Sequence, residues 1–392
     1  MLHKTPVALA IGISFGLTSG FIACPAFAQQ SPETTLKGIT VTATRTQRKV
    51  DDVPSTVTVT IGDDIERWGA RDIKDVFRNE IDVTVRAAPT RFTAAGAATG
   101  RAGNEGINIR GLEGNQVLIL VDGIRVPNAF SFGSFATGRG DFLNIDSAQA
   151  IEVLRGPAST QYGSDGLAGV VSLRTLEPAD VIGKGQTGGG FVRFGYDSVD
   201  RSWASAVAAA GRSGDWQGLL LTSFRKGHET DNQGRNDARN ASRTQPDPVD
   251  YSSPALLGKL IYSLNASHQF GLTLDAQRRT QDTEVYSARA VPPLAASSAL
   301  DLRAHDRLER SRVSLEHRYA DPTGAWVQKA ETRVYAQDAE VSQFAAEDRN
   351  TSADRTRDNR YRQNVRGASA LLESNFGGAM DHRLSYGLDL SR

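Results

Sequence analysis

Two glycine-punctuated blocks between residues 104 and 175 restrict the possible folds of this chain more than any other stretch. The first is Asn104-Glu-Gly-Ile-Asn-Ile-Arg-Gly-Leu-Glu-Gly-Asn-Gln-Val-Leu-Ile-Leu-Val-Asp-Gly-Ile-Arg125. The second is Ile151-Glu-Val-Leu-Arg-Gly-Pro-Ala-Ser-Thr-Gln-Tyr-Gly-Ser-Asp-Gly-Leu-Ala-Gly-Val-Val-Ser-Leu-Arg-Thr175. Val117-Leu-Ile-Leu-Val121 is a continuous apolar run of strand length, as expected of a strand buried on both faces. Asp122-Gly123 closes it with a hairpin-type turn. Ile151-Glu-Val-Leu154 reads as a second strand, stopped by Gly156-Pro157. Val170-Val-Ser-Leu173 reads as a third, entered through Gly163, Gly166 and Gly169. Taken alone, a small glycine-rich sheet of this kind also suits many α/β binding modules.

Compartment comes from the N-terminus. Lys4, the apolar stretch Val7 to Ile22 and the small-residue site Ala26-Phe-Ala28 read as a secretory signal over residues 1–28. Cys24, the single cysteine, lies inside it. Acylation of Cys24 as a lipoprotein is the weaker alternative, because the cleavage site just downstream is the better one. The mature chain then has no cysteine for a disulfide or thiolate site. The 392 residues carry no net formal charge, which argues against a nucleic-acid partner. Beyond residue 28 no apolar run approaches a membrane helix, so any membrane role falls to strands.

Residues 29–49 are polar and Thr-rich, with the β-prone run Gly38-Ile-Thr-Val-Thr-Ala43. A frayed terminus is the plain reading. The alternation of Ile39, Val41 and Ala43 also suits addition to the edge of a partner's sheet. Thr56-Val-Thr-Val-Thr60 reads as a strand, Gly62-Asp-Asp64 as the cap of a helical segment through Trp68, and Ile73 to Arg78 as a second short helix. Two loops follow, Arg86 to Gly106 with Arg91 and Arg101, and Val126 to Phe142 with Phe130, Phe132, Phe135 and Gly138-Arg-Gly-Asp141.

From Gly183 the texture changes to alternation at period two, as in Phe270, Leu272, Leu274 and Ala276 against Gly271, Thr273, Asp275 and Gln277. Lys329, Glu331 and Arg333 line one face of a later strand. Apolar-out, polar-in alternation fits a transmembrane barrel or a soluble sandwich. Nine strands are expected, near 186–196, 200–211, 214–228, 253–266, 268–280, 308–320, 325–339, 363–377 and 381–392. Short turns at Ser213-Gly-Asp215, Asn265-Ala-Ser267, Asp321-Pro-Thr-Gly324 and 377–381 alternate with long polar loops at 229–252, 281–307 and 340–362. That alternation favours the barrel, with His228 and His305 toward the outside and His268, His317 and His382 toward the periplasm.

In the order Ile-Arg-Gly, Val-Leu-Val-Asp-Gly, Glu-Val-x-Arg-Gly-Pro-Ala-Ser, Tyr-Gly-Ser, Gly-Val-Val, the two blocks resemble the plug domain of TonB-dependent outer-membrane receptors. Asp52-Val-Pro-Ser55 resembles the plug entry. The resemblance extends from the signal peptide through everything that follows. It implies a TonB-box segment at 29–49, an α+β plug with a small mixed sheet at 50–180, and at 181–392 the N-terminal strands of an incomplete antiparallel transmembrane barrel. Plugged outer-membrane transporters close with 22 strands, so nine strands are expected to be a fragment. The TonB box would be Gly38, Ile39, Thr40, Val41, Thr42 and Ala43, read by TonB with its inner-membrane energising complex.

The resemblance also implies that Arg110 and Arg155 pair with glutamates of plug and wall, locking the plug in place; Glu152 belongs to the same set. Wording around Arg110, Arg125-Val-Pro-Asn-Ala-Phe-Ser-Phe132, Gly138 and Tyr162 is similar to the haem, haemoglobin, transferrin and lactoferrin branch. The expected cargo is therefore haem or a haemoprotein, with a ferric siderophore as the alternative and no intrinsic cofactor. Members of that branch commonly supply one haem histidine from a plug loop and one from an outer loop. Here residues 50–180 contain no histidine. His305 and His228 become the ligand-facing candidates, beside Phe130, Phe132 and Phe135 for stacking and Arg91 and Arg101 for the propionates. Outer-membrane lipid is the remaining expected partner. A passive porin needs neither plug nor TonB box. No metal cluster, nucleophile–base pair or phosphate loop points to an enzyme.

Overall fold

Short ladders open the described part of the chain. In the computed structural model, which describes residues 40–41, 48–49, 56–86, 106–132, 135–158, 162, 165–377 and 382–392, β1 (Thr40–Val41) pairs antiparallel with β2 (Arg48–Lys49). The signal segment with Cys24, the run's Gly38, Ile39, Thr42 and Ala43, and Arg91 and Arg101 lie outside the described residues. Next come β3 (Thr56–Ile61), α1 (Gly62–Arg67) and α2 (Ile73–Val76). Asp63 and Asp64 sit within the first turn of α1, at its positive end; they do not cap it. The capping carboxylate is Asp72, which accepts the Asp75 N–H at 2.8 Å and starts α2.

β4 (Val83–Arg86) and β5 (Gly106–Ile109) form a separate hairpin ladder. β6 (Val117–Val121), β7 (Ile124–Arg125), β10 (Ala148–Arg155) and β11 (Gly169–Thr175) join β3 in a mixed sheet of order β3-β10-β11-β6-β7. Between them, β8 (Phe130–Phe132) and β9 (Phe135–Thr137) make a small hairpin. β6 lies parallel to β11 and is buried along its whole length. Its odd residues Val117, Ile119 and Val121 pack with Phe77, Ile109 and Leu173; its even residues Leu118 and Leu120 join Val57, Leu154 and Val170 on the other face. A strand with two buried faces needs an unbroken apolar run, and this one has it. α3 (Pro178–Val181) ends the plug, with Glu177 and Asp180 closing a capping box.

The second body is a nine-stranded meander, each strand antiparallel to the one before. Its strands are β12 (Gly188–Asp197), β13 (Ser202–Ser213), β14 (Trp216–His228), β15 (Val249–Ser263), β16 (His268–Glu284), β17 (Ala299–Ala320), β18 (Lys329–Arg349), β19 (Arg355–Phe376) and β20 (His382–Ser391). Strand number and order agree with the sequence reading. The outer loops do not: 281–307 contracts to 285–298, and 340–362 to 350–354, because β16 to β19 continue upward. A strand of 22 residues rises roughly 70 Å, against an apolar band of about 25 Å. Above that band neither face is uniformly apolar, although Val285, Leu302, Ala304 and Ala345 form a small buried cluster there, so the outward apolar pattern stops before the backbone ladder does.

Side-chain parity assigns the two faces. Trp203, Leu220, Leu260, Phe270, Leu274, Val313, Leu315, Val334, Leu388 and Leu390 are exposed on the outward face. Aromatic contacts border this belt: Trp216 with Tyr262 at 4.7 Å and His268 with Tyr319 at 4.9 Å at the end carrying the short turns 214–215 and 264–267, and Tyr196 with Trp203 at 4.8 Å at the opposite end. The inward face is not uniformly polar. Leu219, Leu221 and Leu257 pack with Leu176 where the end of the plug abuts the wall.

Candidate functional site

The plug meets the wall through a buried ionic seam centred on Asp122. The Asp-Gly turn after β6 holds Asp122 at φ 49° and Gly123 at φ 73°, left-handed conformations that Asp and Gly tolerate best. This aims the carboxylate away from the sheet. It accepts the Thr175 N–H at 2.8 Å, the Thr175 hydroxyl at 2.7 Å and Arg312 Nη2 at 3.2 Å, with Lys259 Nζ 3.6 Å away. Arg312 also donates to the Val121 carbonyl and lies 3.1 Å from Asp275, which Arg310 reaches at 2.8 Å. A Cβ on Gly123 would stand 2.5 Å from Arg333 Nη1, so glycine lets the turn approach the wall. Lower in the seam Arg318 bridges Glu177 at 2.7 Å and Glu316 at 2.6 Å, and Arg333 reaches Glu316 at 3.3 Å. Arg71 pairs with Asp197 at 3.3 Å, and Arg193 with Glu66.

Neutral contacts fill the rest. Gln337, Gln343 and Gln277 donate to the carbonyls of Arg125, Ala136 and Asp141 at 3.2, 3.2 and 3.4 Å. Each neutral bond contributes about 1 kcal/mol. Breaking a buried ion pair by removing one partner costs about 3–5 kcal/mol, since a charge is left unpaired. The ionic contacts therefore decide how firmly the plug sits.

Burial alone pushes the Asp122 carboxyl up, but Lys259, Arg312 and the Thr175 donors outweigh it and hold it well below the usual carboxylate range. Its stabilisation is thus present above the unfolded value of about 3.9 and is lost only as pH falls through the depressed folded value. Glu177 is likewise held low, Arg318 overcoming its burial. The plug's thermal transition is accordingly expected to stay flat from about pH 7 to 5 and to fall below about 4. A calorimetric scan in detergent checks this; a clear drop between pH 6 and 5 would count against the seam as drawn.

Arg110 and Arg155 make their contacts elsewhere. Arg155 binds Glu80 at 2.5 Å, the Ile81 carbonyl at 3.0 Å and the Thr58 hydroxyl at 3.3 Å; Arg110 pairs with Asp82 at 3.2 Å. Both sit at strand ends beside residues 80–82, so their carboxylate partners belong to the plug. The recorded ion pairs from plug to wall among the described residues run through Asp122, Glu177, Glu66 and Arg71. Glu152 is buried in β10 between Val59 and Ser172.

The phenylalanines do not form one ligand face. Phe135 is buried in the plug core, and Phe130 stacks on Tyr361 of β19 at 4.7 Å and 13°. The backbone of Phe132 pairs with Phe135 in the β8–β9 hairpin; its side chain is outside the described set. Arg139, read from the sequence as part of the Val126 to Phe142 loop, is a buried guanidinium donating to the carbonyls of Val117 at 2.8 Å and Val126 at 3.3 Å. His305 is on β17, not in a loop. It has the parity of exposed Val313 and Leu315, opposite to buried Ala304 and Leu308, so it points outward, with Nδ1 2.7 Å from Asp282. That corrects its reading as a ligand-facing residue. His228 ends β14 with Nδ1 3.1 Å from Asp250, and borders a cavity of about 610 Å³ between plug and wall. Arg71, Lys74, Asp146, Arg225, Tyr251 and Arg279 line that cavity. Burial pushes the Asp146 carboxyl up, with Arg225 and Ser223 opposing.

Lys259, Asp275, Arg310 and Arg312 were missed in the sequence. The signal available was parity: each is a charge at an inward position of a strand whose outward positions are apolar.

Comparison with known proteins agrees with this architecture. The TonB-dependent Receptor Plug Domain family model matches residues 49–170. Hemoglobin and hemoglobin-haptoglobin-binding protein A of Haemophilus influenzae is 26% identical over 285 residues, covering 69% of this chain and 25% of the relative. Transferrin-binding protein A of Neisseria meningitidis serogroup B is 32% identical over 138 residues, covering 33% of this chain and 15% of the relative. The chain thus spans about a quarter or less of the length of these relatives. Among solved structures, the Serratia marcescens hemophore receptor HasR, in complex with its hemophore HasA and heme, superposes with a TM-score of 0.62 at 18% identity, over 87% of this chain and 45% of that one. Residues 49–170 thus carry a TonB-dependent receptor plug domain, and its seat against the inward face of an antiparallel wall is the fold shared with that receptor structure.

Proposed function

We propose that this protein serves TonB-driven import across the outer membrane of a Gram-negative bacterium, with haem or iron from haemoproteins as cargo. The observation that carries the transport reading is the seam. A folded plug held by Asp122, Lys259 and Arg312 against a wall whose outward face is apolar is a closed gate in a membrane barrel, and opening it takes energy. TonB with its inner-membrane complex is the proposed source, acting through Gly38 to Ala43 after removal of residues 1–28. The domain limits 29–49, 50–180 and 181–392 belong to the same proposal. Relatives named for binding haemoglobin and transferrin support the cargo. Haem is cargo here, not a resident cofactor.

Titration of the detergent-purified protein with haem, followed at the Soret band, tests the cargo. A saturable shift is expected. His305→Ala is expected to change affinity by less than about twofold, as for an exposed surface substitution, because His305 faces away from the lumen. His228 borders the cavity rim, but it shares the parity of exposed Leu220 and Phe224, so His228→Ala is likewise expected to change haem affinity by less than about twofold. No Soret change beside tight binding of a ferric siderophore would replace haem with the siderophore and leave the transport reading standing.

A further inference from the structure

We propose that the hairpin tip between β16 and β17 is a docking surface for the protein part of a haemoprotein, with Val291 and Leu294 at its centre. The inference rests on the haemoprotein reading of the cargo and names where such a protein is held. No charged residue occurs from Ala290 to Leu300, and every residue from Val291 to Ser297 is exposed. Val291, Leu294 and Leu300 keep 49%, 39% and 43% of their surface open. A run of exposed apolar residues is a liability unless it has a use.

Height along the strand excludes lipid as the occupant. Leu274 is exposed within the outward apolar band, and β16 continues from there to Glu284. That is roughly 30 Å of strand, past the exposed charges of Arg278, Asp282 and Glu284. A small molecule needs a concave site, and a run exposed along its whole length encloses none. What remains is a protein with apolar surface of its own.

The tip is held in place on both sides. Asn350 donates its N–H to the Ser298 carbonyl at 2.9 Å and its side-chain amide to the Ala295 carbonyl at 3.2 Å. The Thr351 and Ser352 N–H groups share the Ala296 carbonyl at 3.0 and 2.9 Å, and across the hairpin the Ala241 N–H reaches the Arg289 carbonyl at 2.7 Å. Beneath lies the small core of Val285, Leu302, Ala304 and Ala345. Pro292 and Pro293 have fixed φ and no N–H to leave unpaired at a dry interface. Little further ordering is then needed on docking. Beside the tip, the guanidinium carbons of Arg289 and Arg239 stand 4.3 and 5.1 Å from the Tyr286 ring centroid. An apolar centre next to tyrosine and arginine is the composition of protein interfaces. The neighbouring charges pair among themselves, Arg289 and Arg303 with Asp301 and Arg243 with Asp247. Apolar contact, not net charge, therefore carries the attraction.

The test uses the whole protein in detergent, measured with haemoglobin and separately with free haem. Leu294→Asp, alone and together with Val291→Asp, is expected to weaken haemoglobin binding about thirtyfold or more, the loss of one hot-spot residue. Leu294→Ala should fall between that variant and the unaltered protein. Free haem, followed at the Soret band, is expected to bind each variant within about twofold of the unaltered protein, because both side chains are exposed. Unchanged haemoglobin affinity in Leu294→Asp overturns the docking surface. So does an equal loss for haemoglobin and haem, which would mark a structural role. A dimer of the unaltered protein that Leu294→Asp dissolves gives the tip to a second copy and overturns it too. Haem binding without haemoglobin binding by the unaltered protein overturns the surface and leaves the haem reading standing. Binding of neither overturns the haem reading itself, and this surface with it.

Discussion

Asp122→Asn is expected to raise the opening of the plug sheet about a hundredfold, read as faster amide hydrogen exchange along Val117 to Val121. Asparagine tolerates the left-handed backbone at this position and can still accept the Thr175 N–H, so the turn itself should survive. What disappears is the negative charge between Lys259 and Arg312, 3.6 and 3.2 Å away. Both cations are almost fully buried, and an uncompensated buried charge costs about 3–5 kcal/mol. Because Arg312 keeps Asp275 at 3.1 Å, the lower end of about 3 kcal/mol applies, which is about two powers of ten in the opening equilibrium. Glu80→Gln serves as the contrast. It breaks the pair with Arg155 inside the plug, so it should loosen the Thr58–Ile81 region while leaving the seam to the wall intact. Unchanged exchange in Asp122→Asn, or equal effects from both substitutions, would show that the seam does not hold the plug.

The seam also marks where sequence reading stops working. Val117 to Val121, the Asp122-Gly123 turn and the central parts of two further strands, 151–154 and 170–173, were legible because local rules decide them: an apolar run, a turn dipeptide, glycines at bends. The nine wall strands were legible for a related reason, since period-two alternation persists wherever one face meets an apolar surroundings and the other does not. Their upper ends were not. Around Phe344 and Tyr361 neither face is uniformly apolar, and only the ladder to the neighbouring strand reveals β18 and β19. Side-chain partners were least legible. Asp122 and Arg312 are 190 positions apart, and nothing local says that they meet. Arg110 and Arg155 look equally available in the sequence, yet they turn to Asp82 and Glu80 because those carboxylates lie at the adjacent edge of the plug. His305 failed for a simpler reason: reading it as a loop residue discarded its parity, and parity is what sends it outward.

The largest functional effect is expected from Val41→Pro. Thr40 and Val41 pair with Lys49 and Arg48 in a two-residue ladder, so this backbone adopts the extended form that addition to another sheet requires. If Gly38 to Ala43 is the segment TonB takes hold of, its backbone groups must be exchanged from that short ladder to a strand of the partner. A two-stranded ladder this short is marginal in water, so the exchange should cost little. Proline removes the Val41 N–H and fixes φ near −65°, which deletes an edge hydrogen bond and disfavours strand addition on that side. The segment precedes the plug sheet in the chain, and the seam and cavity residues named above all follow it, so cargo binding should be unchanged. Uptake of radiolabelled cargo by cells is expected to fall to the level seen without TonB, while the Soret titration of the purified variant matches the unaltered protein. Val41→Thr, which keeps the N–H and the β-branched shape, should restore transport. Normal uptake in Val41→Pro would move the coupling segment elsewhere in residues 29–49, and loss of both uptake and binding would mean that the substitution disturbs the plug itself.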